Sequence, residues 1–103
     1  MNDPLLSLLG MSRRAGKLVI GAQHATEALA KGKARLILVS SDAAPRTEKE
    51  LRFHSKDTVP VLRLTQTREQ ISQAIGANAG TVAMTDDGMA ARAVLLINGG
   101  NSL

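Results

Sequence analysis

At 103 residues, 44% hydrophobic and 21% charged, the chain suits one packed domain; it is too short for two ordinary domains and too apolar to be disordered. It has no cysteine, which excludes a disulfide framework and a thiolate metal site, and no apolar run approaching the roughly 20 residues of a membrane span. The net charge is +4, and between positions 13 and 35 six cations (Arg13, Arg14, Lys17, Lys31, Lys33 and Arg35) face one acid, Glu27, which marks either a polyanionic partner or a solvated surface.

Asp3 and Pro4 read as an N-cap and a first helical residue, followed by Leu5, Leu8 and Leu9 at helical spacing and a stop at Gly16. No cationic segment precedes this apolar stretch, so a signal peptide is not expected, and the cytoplasm is the expected setting. LVI (18–20) predicts a short strand. A second helix runs from Ala22 to about Lys31, with Gly32 past its end. It has Ala22, Ala25, Ala28 and Leu29 on one face and Gln23, His24, Glu27 and Lys31 on the other.

LILVS (36–40) is continuously apolar, as a strand covered on both faces must be. Pro45 opens a charged helix to about Lys56, anchored by Leu51 and Phe53, and VPVLRL (59–64) is the next strand. Thr67 and Gln70 have capping-box spacing ahead of Ile71, Ala74 and Ile75, and Gly76 ends that helix. TVAMT (81–85) predicts the last strand, and Asp86 or Asp87 caps a helix with Ala90, Ala93, Val94 and Ile97 inward. Such alternation predicts a three-layer α/β/α sandwich, one domain over residues 1–98 with a flexible tail at 99–103.

The chemistry-bearing candidates narrow quickly. GMSRRAGK falls short of a nucleotide-triphosphate loop because five residues, not four, separate Gly10 from Gly16, and Leu18 occupies the place of the magnesium-binding hydroxyl. His24 and His54 have no ligand spacing with any acid, and no serine or threonine sits in a nucleophile motif, so neither a metal, a cofactor nor an enzymatic activity is expected. The corner itself remains. A helix N-terminus offers free N–H groups and partial positive charge to phosphates, and Gly21 leaves the backbone there unobstructed. Gly16 and Gly21 also suit ordinary turns. Phe53 is the only aromatic, so a nucleic-acid partner is expected to be held by phosphates, groove edges and shape rather than by a stacking platform.

LLGMSRRAGKLVIG, KGKARLILVSSDAAP, VPVLRL, AIG (74–76) and TDDGMA together resemble the small bacterial YlxQ-like proteins of the kink-turn-binding ribosomal-protein superfamily, of L-seven-Ae and L-thirty-e type. The resemblance implies a four-stranded mixed sheet and a non-enzymatic protein that binds structured, kink-turn-like RNA, with ribosome association possible. It also implies that the second helix enters the RNA groove and that the loop 76–80 covers an extruded nucleotide. Gly16, Lys17 and Gly21 match the family's basic corner. Gln23, His24 and Glu27 stand where better-studied members carry Asn, Glu and Lys. By this resemblance Arg13, Arg14, Lys17, Lys31 and Lys33 serve phosphates, Gly21, Gln23, His24 and Glu27 the groove, and Gly76, Ala77 and Asn78 the lid. The reversed charge at Glu27 suits the competing reading, a protein-interaction module that keeps the fold.

Overall fold

The computed structural model describes residues 3–99, so positions 100–103 of the expected tail lie outside the described residues. Five helices alternate with four strands: α1 (Pro4–Arg14), β1 (Leu18–Ile20), α2 (Ala22–Ala30), β2 (Leu36–Val39), α3 (Pro45–Ser55), β3 (Val61–Arg63), α4 (Arg68–Ile75), β4 (Thr81–Met84) and α5 (Asp87–Ile97). Local chemistry accounts for the boundaries. Asp3 Oδ1 accepts the Leu5 and Leu6 N–H groups ahead of Pro4. Thr67 and Gln70 form a reciprocal capping box, and Gly76 closes α4 at φ +72°. Asp86 caps α5 by accepting from the Met89 N–H.

The sheet order is β1–β4–β2–β3, with β4 antiparallel to both neighbours and β2 parallel to β3. Period-two geometry then sorts the side chains into two cores. Leu36, Leu38, Val82 and Met84 face α1, α4 and α5, where Leu5, Leu6, Leu9, Ile71, Ile75, Ala90 and Ala93 are buried. Ile37, Val39, Val61 and Ala83 face α2 and α3, against Ala25, Ala28 and Leu51. The result is an α/β/α sandwich around a four-stranded mixed sheet, with LILV buried on both sides.

Two expectations fail. Phe53 does not join Leu51 in anchoring α3; it is 75% exposed. Positions two apart on a helix are separated by about 200°, so both cannot meet one core. Ala22 is also exposed, because the first turn of α2 opens onto a surface cleft instead of a packed neighbour.

Arg63 joins β3 to the turn after β2. Its guanidinium donates to Glu48 Oε1 at 2.7 Å and to the Ser41 and Ala43 carbonyls at 2.9 and 3.0 Å. Hydrogen bonding from Arg52, and next from Arg63, holds the Glu48 carboxyl below its usual range. On the other face α1 and α4 pack at Gly10, where an added Cβ would lie 2.7 Å from the Ala74 carbonyl oxygen. Gly10→Ala is therefore expected to lower stability by about 1–2 kcal/mol. The strain of overpacking, about 1–3 kcal/mol, outweighs the roughly 1 kcal/mol that alanine gains in helix propensity. Urea denaturation of both proteins measures this, and an equally stable or stabilised variant would contradict the close helix contact.

Candidate nucleic-acid interface

The sheet has two ends, and they separate the cations that the sequence places together. Leu18, Leu36 and Met84 pair at one end; Ile20, Val39, Val82 and Thr81 pair at the other. Gly21 continues from the second end, where its N–H donates to the Thr81 carbonyl at 2.8 Å. Its φ of +99° and ψ of 149° belong to a region open essentially to glycine alone. From there α2 begins with no side chain capping it. First-turn N–H groups and the positive end of the helix dipole therefore face outward.

Opposite lies the loop 76–80, held by its own hydrogen bonds. Ser72 Oγ donates to the Ala79 carbonyl and accepts the Ala79 N–H at 3.0 Å, while the Gly76 and Ala77 N–H groups both reach the Ser72 carbonyl. Arg68 Nε donates to Asn78 Oδ1 at 3.1 Å, leaving the Asn78 amide N–H groups outward as donors. Gly80 is closely confined: a Cβ there would stand 2.9 Å from Ser40 Oγ. Between this loop and α2 opens a cleft of about 380 Å³, lined by Gly21, Ala22, Thr47, Arg68, Asn78 and Gly80 among others. Asp42 forms part of its floor and accepts the Arg68 N–H. The Ser40 hydroxyl and then that N–H hold its carboxyl below the usual value.

Gly21 thus shares one cleft with Asn78, Ala79 and Gly80, while Gly76 and Ala77 line a neighbouring open surface with Arg68 and Asn78. The side chains at the start of α2 diverge from the cleft. Gln23 lines a shallow groove between α2 and α3, with His54 and Glu50. His24 folds back so that Nδ1 lies 3.0 Å from the Ile20 carbonyl. A carbonyl can only accept, so Nδ1 carries the proton, and in the neutral ring Nε2 remains an outward acceptor. Glu27 is exposed, and no ion pair joins it to Lys31 among the described residues; Lys31 is already past the helix as its C-cap.

The cations do not form a single corner. Arg13 Nη1 donates to the Ile75 carbonyl and lies over Gly76, so it caps α4 where the lid begins. Arg14 extends along the α1–α4 groove without a hydrogen-bonding partner among the described residues. Lys31 and Lys33 follow the far end of α2, about 13 Å from Gly21 for a helix of this length. Lys17 shares that opposite end of the sheet, since its carbonyl accepts the Thr85 N–H, and Arg35 there is paired with Asp87 at 3.1 Å. Sequence proximity concealed this division because β1 and α2 run in opposite directions.

Arg68 is the cleft residue that sequence reasoning missed. A signal existed: a cation at the first position of a helix opposes the dipole, and here Asp42 and Asn78 offset it. Among the described residues no cluster of metal-ligating side chains forms, and no helix is long and apolar enough to cross a membrane.

A sequence model of the ribosomal protein L7Ae/L30e/S12e/Gadd45 family matches residues 3–94. The chain belongs to that family. Within it, the chain is 32% identical over 95 residues to an Enterococcus faecium protein named RNA-binding protein YlxQ, covering 91% of each sequence. A solved Bacillus halodurans protein of unknown function superposes with a TM-score of 0.88 at 29% identity, over 94% of this chain and 99% of that one. A Giardia lamblia 15.5kD RNA binding protein shares the fold, with a TM-score of 0.75 at 18% identity over 95% and 85% of the two chains. This chain is YlxQ-like within the L7Ae/L30e/S12e/Gadd45 family.

The division of labour among the arginines is open to measurement. Arg13→Ala should lower unfolding free energy by about 1 kcal/mol, because it strips a charged partner from the end of α4, whereas Arg14→Ala should change it by less than about 0.5 kcal/mol. Chemical denaturation compares them, and equal effects would contradict the capping role of Arg13.

Proposed function

We propose that this protein is a non-enzymatic RNA-binding protein of ribosomal type, acting in the cytoplasm and able to associate with ribosomal RNA, that recognises structured, kink-turn-like RNA. One observation carries the reading: the Gly21–Thr81 hydrogen bond brings the uncapped start of α2 and the end of the lid, residues 78–80, to one cleft. A duplex backbone approaching it meets N–H groups and the helix dipole, without a side chain at Gly21 to obstruct it. Gln23 offers an amide that both donates and accepts at a guanine edge, and His24 Nε2 supplies an acceptor in place of the family's carboxylate. Gly76, Ala77 and Asn78 would close over an extruded nucleotide. Arg14 has no side-chain partner among the described residues and is available to phosphates, while Lys17, Lys31 and Lys33, also unpaired, would reach a second, more distant stretch of backbone. Arg13 acts on the lid through Ile75. The name of the Enterococcus faecium relative supports the RNA partner.

Glu27 favours the second reading, a protein-interaction module. An exposed carboxylate one turn along the face of Gln23 would repel phosphates and suit a basic protein surface equally well. Glu27→Lys separates the two. If this face meets RNA, the substitution should tighten binding by roughly 1 kcal/mol, about fivefold, and steepen the salt dependence by about one phosphate contact. The measurement is a titration of both proteins against one kink-turn duplex at two salt concentrations, with a polypyrimidine strand as competitor. Unchanged affinity with the fold intact would move the interaction-module reading ahead, and equal or better binding to the single strand would rule out the preference for bent, kink-turn-like RNA.

A further inference from the structure

Phe53 is the chain's only aromatic residue, yet it stands 75% exposed in the last turn of α3. One exposed apolar side chain is ordinary. Its surroundings are not apolar, however. Arg46 and Lys49 precede it by seven and four residues on its helical face, and Lys56 follows by three as the left-handed cap that ends α3. Glu50, the acid beside it, is bridged to Arg46 at 3.5 Å. Lys49 and Lys56 have no side-chain partner among the described residues. The ring meets His54 edge-to-face, with centroids 5.5 Å apart at 76°. His54 in turn lines the α2–α3 groove, and that groove shares Ala22 and Thr47 with the cleft at the start of α2.

We infer that Phe53 is a stacking site for one unpaired nucleotide of the bound RNA, reached from the cleft along the α2–α3 groove. The inference rests on the RNA-binding reading above. An exposed apolar ring with unpaired lysines before and after it in the chain fits a nucleobase attached to a phosphate chain, since the base covers the ring while Lys49 and Lys56 meet the flanking phosphates. A protein partner would gain from the phenyl ring but would need acids to answer the lysines. A membrane surface would call for further apolar side chains beside it, and this face has cations there. A single ring accommodates a single base, so the main contact remains the folded RNA.

Because the chain has no tryptophan or tyrosine, Phe53→Trp gives a fluorophore at this one position, on a surface where the fold tolerates it. The probes are a kink-turn duplex with a short oligouridine extension and the same duplex without it. Binding is followed separately by the anisotropy of labelled RNA. Saturation with the extended RNA should quench the tryptophan emission. Phe53→Ala should weaken binding of the extended RNA by about fivefold to twentyfold and of the blunt duplex by less than about twofold, in line with one base stacked on one ring. Unquenched emission, or an equal loss for both RNAs, would overturn the inference while leaving the RNA-binding reading in place. Failure of either RNA to raise the anisotropy would overturn both.

Discussion

The start of β4 governs the arrangement of everything around the cleft. On one side the Thr81 carbonyl receives the Gly21 N–H, and on the other the Gly80 carbonyl receives the Ser40 N–H, both at 2.8 Å. A single short strand therefore fixes the origin of α2, the exit of the lid and the turn leading to α3. Its register is enforced by burial, because all four of its residues are enclosed and alternate between the two cores. A slip by one residue would exchange Val82 and Met84 with Thr81 and Ala83, placing large side chains against the alanine-lined α2 layer. The glycines at 21 and 80 follow from the same constraint. One needs a backbone conformation denied to other residues, and the other leaves no room for a Cβ beside Ser40.

Around that frame the charged side chains divide between scaffold and surface. Arg63 is spent on the turn after β2 and on Glu48, Arg13 on the end of α4, Arg35 on Asp87, and Arg68 on Asn78 of the lid. Lysines, with flexible stems and a compact charge, remain mostly unpaired at the surface. The sign of the chain's net charge thus says less about the RNA surface than which cations have no partner.

Much of the fold was legible because its signals are local. Asp3–Pro4, the Thr67–Gln70 box, Gly76 and the unbroken LILV run each determine structure within a few residues, and each has its expected conformation. Of the candidate site, the sequence shows where the backbone is special: Gly21 begins α2, and residues 78–80 line the cleft beside it. What stayed hidden depends on contacts distant in sequence. Arg13 and Ile75 are 62 positions apart, and the cap they form cannot be distinguished from a phosphate-binding arginine by neighbouring residues. Lys17, Lys31 and Lys33 looked continuous with Gly21 until β1 and α2 were seen to reverse direction between them. Phe53 was misplaced by hydrophobicity alone, although its helical phase relative to Leu51 already excluded a shared core face.

Amide hydrogen exchange with and without a kink-turn RNA tests most directly whether the partner meets the Gly21–Thr81 end of the sheet. The amides of Ala22, Gln23 and His24 and those of residues 78–80 should slow together on binding, because the uncapped first turn and the end of the lid border the same cleft. Protection confined to the opposite end, around Lys17, Lys31 and Lys33, with the α2 start and the lid exchanging as in the free protein, would contradict it.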